Sequence, residues 1–451
     1  MSSENMIDSL TQMPNRAGWL AAAESALVDG SAKAILFMDL DRFKWVNDSL
    51  GHDAGDELLR VVSQTIKNQL SSDSEQPTDN DIVGRMGGDE FVILLQNKNS
   101  IAQLEQLANQ LIEKISQPIA LESAEVEIGA SIGVAHYPQD SHGLTDLLKF
   151  ADLAMYRAKH SGRNQLVVYQ PEMIRQIEYR RDIQTALRQA LNDELLTLEY
   201  QAIFNCQHAQ VVAVEAYLNC DELSKLSALD QAEVFAIADE SQVSVQLSKW
   251  MLQSGLAYLQ ELDESLDDLS LVVEVRPTHF HQKGFVDWLA ETLEFYEIAP
   301  ERLILNLNET CLNAQRFPVQ KQLQELSKLG VEVAVQSFGV GNLSPLRLHD
   351  WPVDRLHLSS LFVAEITNKR SMEAMAVALI QMGHTLNKKV VAYGVKTAEQ
   401  QAMLMSQQCF LMQGPFLGET LSAQEMESLL MGDSHHDNHN DNYLDEFSDD
   451  F

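Results

Sequence analysis

The chain has 451 residues, 45% apolar and 22% charged, and its 32 Lys and Arg face 66 Asp and Glu for a net charge of −34. This is ordinary globular composition at a length that suits two domains, each able to bury a core. The acidic field excludes non-specific binding to nucleic acid or anionic membranes, so a phosphorylated substrate would need metal ions and a few placed cations to enter.

The first ten residues, MSSENMIDSL, hold no basic residue and no apolar run, so neither a signal peptide nor direct membrane insertion is expected. Four scattered cysteines, Cys206, Cys220, Cys311 and Cys409, form no CxxC pair. They read as small buried side chains in a reducing, cytoplasmic setting.

Residues 1–170 alternate helix and strand and predict an α+β domain. A helix follows Pro14, with Asp8 and Asn15 as expected caps. An apolar strand starts at Ala34 and carries Asp39 near its end. A helix around Gly55–Leu70 and the polar loop SSDSEQPTDN come next. Strands Asp81–Met86 and Phe91–Leu95 flank Gly87-Gly88-Asp89-Glu90, where paired glycines mark a hairpin turn. A strand near Glu125–His136 and a helix near Leu144–His160 complete the unit. Residues 171–192 form a charged helical connector. Residues 193–432 predict a (β/α)₈-type barrel, with strands at Leu196–Phe204, Val211–Leu218, Leu269–Val275, Arg302–Asn308, Val331–Phe338, Arg355–Leu358 and Lys389–Tyr393, and a last one before Gln413. Residues 433–451 form an acidic tail with no Lys or Arg, expected to be disordered.

Asp39, Asp89 and Glu90 lie on neighbouring strand ends, where carboxylates can hold two divalent ions about 3.5–4 Å apart. The glycines let the backbone approach a phosphate. Lys44, Lys159 and Arg163 supply cations, and Asn47 with Asp56 can read a guanine edge. The hairpin GRMGGDEFVIL, together with DSLTQMPNR at 8–16, FMDLDRFKWVNDSLGHDAGDELL at 37–59, SIGV at 131–134 and AMYRAKHSGRN at 154–164, resembles the GGDEF family of diguanylate cyclases from end to end. The resemblance implies a nucleotidyl-cyclase-like fold. Asp39, Asp89, Glu90 and the Leu40 carbonyl would bind Mg2+ or Mn2+, with Asp89 and Glu90 catalytic. Lys44, Lys159 and Arg163 would hold phosphates, Asn47 and Asp56 would hold guanine, and Arg85, Gly87 and Gly88 would lie beside the substrate. It also implies that two such domains meet, each with one GTP, to give cyclic di-GMP and two pyrophosphates, so that turnover requires a homodimer. Gln12 stands where the family's N-terminal turn carries glycine.

The barrel resembles the EAL family, which hydrolyses cyclic di-GMP, through EYQAIF at 199–204, VVAVEAYL at 211–218, FGVGNLSPL at 338–346, VVAYGVKTAEQ at 390–400 and MQGPFLG at 412–418. Glu215, Glu309, Gln201 and Gln413 are kept. The other site positions hold Asn219, Glu274, Asn306, Gln336, Ser337, His357, Ser359 and Tyr393, so the resemblance implies a domain without its hydrolytic metal pair. Such a barrel would serve regulation, dimerisation or partner docking. In the tail, His435, His436 and His439 could bind a transition metal weakly, and Tyr443, Phe447 and Phe451 could dock on a partner. Three readings stay open: a cyclase with an inactive barrel, a non-catalytic scaffold responding to GTP or cyclic di-GMP, and a residual phosphodiesterase.

The family's inhibitory RxxD motif reads here as Thr78-Asp79-Asn80-Asp81. A threonine cannot grip phosphate and stack on guanine as an arginine fork does. Product inhibition of a cyclase reaction should therefore be weak, and a titration showing inhibition by low-micromolar cyclic di-GMP would contradict this.

Overall fold

The computed structural model describes residues 6–72, 81–96, 101–220, 226, 229–262, 264–313, 318–341 and 343–432. Thr78 and the tail from Asp433 lie outside them. The chain divides into two compact units between Tyr179 and Arg180.

In the first unit, helix α1 (Arg16–Val28) precedes strand β1 (Ala34–Asp41), and helices α2 (Phe43–Leu50) and α3 (His52–Ser72) follow it. Strands β2 (Ile82–Gly87) and β3 (Glu90–Leu95) form the hairpin. Helix α4 (Ile101–Ile115), the short strands β4 (Ile119–Ala120) and β5 (Glu125–Val126), strand β6 (Gly129–His136), helix α5 (Leu144–His160) and strand β7 (Leu166–Val168) complete the unit. The main sheet runs β2-β3-β1-β6-β7, with β1 central and antiparallel to both neighbours.

Nearly every residue of β1 is buried, because helices cover both faces of the sheet. Leu36, Met38 and Leu40 pack in one core with Leu58 and Val62 of α3 and Leu107 and Leu111 of α4. Ile35 packs on the other face with Trp19 of α1 and Ala151 and Ala154 of α5. Side chains alternate along a strand, so Asp39 points to the α5 side with Ile35.

Several sequence expectations change here. Asn15 caps α1, accepting from the Gly18 amide. Asp8 does not cap it; its carboxylate instead accepts from the Thr11 amide and hydroxyl at 2.8 and 2.7 Å. Pro14 lies one residue before the cap. The stretch near 125–136 is two strands, and α2 and α4 were not foreseen.

Helix α6 (Glu172–Asn192) follows, with Met173 in the first unit's core and Ile183, Leu187 and Ala190 in the second's. The second unit opens with β8 (Thr197–Asn205), β9 (Gln210–Asn219), α7 (Gln231–Ala238), α8 (Val243–Glu261) and β10 (Ser270–Val275). Next come α9 (Pro277–Phe280), α10 (Phe285–Phe295), β11 (Leu303–Leu307), α11 (Glu309–Leu312), α12 (Val319–Leu329), β12 (Glu332–Phe338), α13 (Pro345–Asp350) and β13 (Arg355–Leu358). It ends with α14 (Ser360–Glu365), α15 (Arg370–Thr385), β14 (Lys389–Tyr393), α16 (Ala398–Ser406), β15 (Leu411–Gln413), β16 (Leu421–Ser422) and α17 (Ala423–Leu430).

Strands β9 to β15 run parallel in sequence order, and β8 closes the barrel by pairing with β9 and β15. Both of these β8 pairings are antiparallel, a departure from the all-parallel (β/α)₈ arrangement. Ile203, Ala213, Val272, Ile304, Ala334 and Val391 fill the interior as one apolar layer. Among the described residues, no helix is long and apolar enough to cross a membrane.

Gly133 of β6 shows how tightly α5 sits on the first sheet. A Cβ there would lie 2.0 Å from the Ala151 carbonyl oxygen and 2.1 Å from the Met155 nitrogen, both helix backbone. Gly133→Ala should therefore cost about 1–3 kcal/mol through overpacking. Urea unfolding of the variant checks this, and an unchanged midpoint would refute it.

Candidate functional site

The β1 register places Asp39 directly across from Glu90, the first residue of β3. Val92 and Leu94 of β3 pack with α1 and α5, so strand alternation turns Glu90 to the same face as Asp39. Lys159, near the end of α5, reaches this face, and its Nζ lies 2.6 Å from Asp39 Oδ2. Asp39 is only 6% exposed.

Burial pushes its pKa up to about 6; Lys159 opposes the shift, and the charges of Asp89 and Glu90 add to it. Glu90 is also raised, by burial first and then by Asp152 and Asp89, against Lys159 and Arg16. Acids held this close and this dry repel one another, and a divalent ion between them would relieve both costs. The donors are hard oxygens, which suit Mg2+ or Mn2+. No cluster of three or more His, Cys, Asp or Glu side chains suited to a metal occurs among the described residues. An ion here would complete its shell with a backbone carbonyl such as Leu40, substrate phosphates and water.

The turn above this face is clamped. Arg85 donates from Nε and Nη2 to the Gly88 carbonyl at 2.9 and 2.7 Å, and from Nη1 to Asp8 at 3.1 Å. Gly88 has φ +51, a left-handed conformation that glycine adopts without strain. Gly87 and Gly88 are exposed, and nothing lies within 4 Å of where their side chains would be. Arg85 thus holds the turn's shape, with all three guanidinium nitrogens engaged.

Asn47 of α2 folds over Gly55 of α3, where a Cβ would meet its Oδ1 at 1.9 Å. Asp56 follows at once. The side chains of Lys44, Asp56 and Arg163 are exposed. The loop carrying Arg163 is pinned by residues the sequence reading passed over. Asp41 accepts from the Asn164 amide at 2.9 Å and from Ser131 Oγ at 2.8 Å. Asn164 Oδ1 accepts in turn from Ser116 Oγ at 2.8 Å. The D-x-D spacing at the end of β1 is the only sequence signal for this anchor.

The barrel carries a second polar layer above the apolar one. Gln201, Glu215, Glu274, Asn306, Gln336, Tyr393 and Gln413 lie two residues from interior apolar residues of their strands, and His357 lies two from Arg355 on β13. Glu215 is 4% exposed, and burial raises its pKa. It accepts from Asn306 Nδ2 and the Tyr217 hydroxyl, each at 2.9 Å. Its partners are uncharged. His357 is also buried, its pKa pushed down to about 3 by desolvation, and its ring lies 4.7 Å from that of Tyr393.

Glu274 is met by a cation of the chain itself. Arg276 donates to both Glu274 and Asp239. Gln336 Nε2 donates to the second Glu274 oxygen at 3.3 Å. Ser359 and Asn308 cap α14 and α11. Ser337 is exposed, and Asn219 donates to Glu199 at 2.6 Å. A divalent pair does not fit this set: Glu215 sits among neutral donors, Glu274 is taken by a guanidinium, and Glu309 accepts from Asn313 Nδ2 at 2.7 Å.

The profile of the diguanylate cyclase GGDEF domain matches residues 5–165, and that of the EAL domain matches residues 184–420. The chain is 32% identical over 424 residues to the bifunctional diguanylate cyclase/cyclic di-GMP phosphodiesterase MucR of Pseudomonas aeruginosa, covering 93% of this chain and 61% of that protein. It is 32% identical over 429 residues to the cyclic di-GMP phosphodiesterase NbdA of the same organism, covering 94% and 54%. The chain thus spans roughly half to three fifths of these relatives. The solved PaMucR phosphodiesterase in complex with c-di-GMP superposes with TM-score 0.50 at 27% identity, over 54% of this chain and 99% of that one. The S helix-GGDEF-EAL portion of Vibrio cholerae LapD, bound to c-di-GMP, shares the fold with TM-score 0.51 at 17% identity, over 91% and 96%.

Asp39 gives a pH test of the first site. Its folded pKa is raised, so its stabilising protonation is fully present below the unfolded value and is lost as pH rises through about 6. Asn mimics the protonated form. In EDTA near neutral pH, Asp39→Asn should be more stable than the parent by about 1–3 kcal/mol, and the gap should close below about pH 4. Urea melts across pH check this; a variant that is less stable at neutral pH would overturn it.

Proposed function

Since the chain belongs to the EAL domain family and carries a GGDEF domain ahead of that domain, we propose that it is a diguanylate cyclase whose barrel does not hydrolyse cyclic di-GMP. The chain's place in cyclic di-GMP signalling follows from its two domains; which of them works is the proposal. One contrast supports it. In the first unit, Asp39 and Glu90 face each other across two strands, half-compensated by Lys159. In the barrel, neutral donors surround Glu215, and Arg276 occupies Glu274.

In the proposed reaction two GTP-loaded first units meet, so the working form is a homodimer. Each ribose 3′-oxygen forms a bond to the other nucleotide's α-phosphorus, each α–β anhydride bond breaks, and two pyrophosphates leave. Mg2+ or Mn2+, held by Asp39, Asp89, Glu90 and the Leu40 carbonyl, would neutralise the triphosphate and ease ionisation of the attacking hydroxyl. Lys159, fixed beside Asp39, carries positive charge to the phosphates, with Lys44 and Arg163 exposed to join it. Asn47, set over Gly55, and Asp56 hold the guanine edge. Arg85 acts as a positioning residue, keeping the Gly87-Gly88 turn open to phosphate. GTP as substrate places the reaction in the cytoplasm. The barrel, which keeps an apolar interior layer, serves as a module for regulation, dimerisation or docking of a protein partner.

Incubation of the purified chain with GTP and Mg2+, and separately with cyclic di-GMP, tests this by chromatography. The expected result is cyclic di-GMP from GTP, reduced by at least about 10²–10³-fold in Asp89→Ala or Glu90→Gln. Linear dinucleotide from cyclic di-GMP would refute the inactive barrel, and GTP binding without product would support the scaffold instead.

A further inference from the structure

Arg276 follows directly on β10, in step with the inward positions Val272 and Glu274, and is 7% exposed. Its guanidinium bridges Glu274, itself 7% exposed, and Asp239 at the end of α7. The ring centroid of Phe235 lies 4.6 Å from its central carbon. Further groups hold the network, with the Asp239 side chain left 26% exposed. Gln336 serves the free oxygen of Glu274, Ser244 Oγ donates to Asp239 at 2.5 Å, and the Arg276 amide donates to Ser248 Oγ at 3.3 Å. Nothing in the sequence motifs pointed to this residue.

The physical problem is one of charge. Two carboxylates at the C-terminal rim of a barrel are costly to bury unless a cation sits between them. The EAL resemblance implies asparagine at position 274, so the acid there brings a charge that the chain itself must balance. We propose that Arg276 is a resident cation that balances this charge, so that the barrel mouth is assembled and held without metal and is closed to it. A guanidinium cannot titrate away at physiological pH or dissociate, so the rim is locked in one charge state. Because Arg276 engages Glu274 and Asn313 donates to Glu309, the remaining site acid for Mg2+ or Mn2+, Glu215, sits among neutral donors.

This deepens the reading of the barrel as non-hydrolytic and rests on it. The test reads metal response, so a barrel that takes metal without hydrolysing anything would sink the inference and leave the function standing. The full chain carrying Asp39→Asn, which silences the metal site proposed for the first unit, is followed by amide exchange and mass spectrometry in peptides of β9, β10 and β11. In that parent, barrel exchange should be the same in EDTA and in millimolar Mn2+. Adding Arg276→Ala strands the buried Glu274 beside Asp239 and should accelerate exchange in β10 and its neighbours about a hundredfold. Mn2+ should slow it again. Adding Glu274→Gln beside Arg276→Ala should restore protection with no metal, since the like charges no longer face each other.

Protection of barrel peptides by Mn2+ in the Asp39→Asn parent would overturn the proposal. So would an Arg276→Ala chain that exchanges like the parent, or one that neither Mn2+ nor Glu274→Gln restores. If Arg276→Ala does not fold, the parent's metal response and Arg276→Lys carry the test. The lysine keeps the charge, so its barrel should stay protected to within about tenfold of the parent.

Discussion

The cost of burying a carboxylate governs both units. An ionised acid removed from water must meet a cation, accept several hydrogen bonds or give up its charge. The first unit leaves this cost only partly met. Lys159 reaches Asp39, yet Asp39 and Glu90 both stay raised because Asp89 and Asp152 add further negative charge. An unrelieved acidic pair beside an open glycine turn is a site prepared for a ligand that brings positive charge with it. The barrel meets the same cost internally, through Asn306 and Tyr217 around Glu215 and through Arg276 between Glu274 and Asp239.

Much of this was legible because strands alternate. The run from Ala34 read as a buried strand, and period two then sends Asp39 to the face where Ile35 packs on α5. The glycine pair gave the hairpin, and the helix at 144–160 carried Lys159 to the right end. The barrel strands were also visible as short apolar runs, with the inward polar positions two residues beyond the inward apolar ones. Helices α2 and α4 were harder to read. The first is a short helix opening on Arg42 in the left-handed region, with no side-chain cap to announce it. The second is announced only by the spacing of Leu104, Leu107, Leu111 and Ile115, which bury one face.

What the sequence concealed were partnerships between residues far apart in the chain. Arg85 reads as a cation near phosphates until Asp8 and the Gly88 carbonyl are seen to hold it. Asp41 and Asn164 stand more than a hundred positions apart, and only the fold shows that they pin the Arg163 loop. Arg276 belongs to no motif, and its role comes from Asp239, which α7 delivers. Composition and spacing report which groups are present. Charge compensation depends on which groups touch, and that information is tertiary.

The barrel's two layers explain how its chemistry could change without loss of the fold. Ile203, Ala213, Val272, Ile304, Ala334 and Val391 close the interior below the rim, with no polar atom in their side chains. Hydrophobic burial there is indifferent to what stands one layer above. The rim is different, because each replaced acid removes a charge that its neighbours had been arranged around. A neutral residue opposite Glu215 lets the remaining acid be satisfied by hydrogen bonds alone, as Asn306 does. An acid introduced at 274 demands a cation, and the chain supplies one two residues later in Arg276. The substitutions at the rim are therefore coupled, and each is intelligible only with the residue that balances its charge.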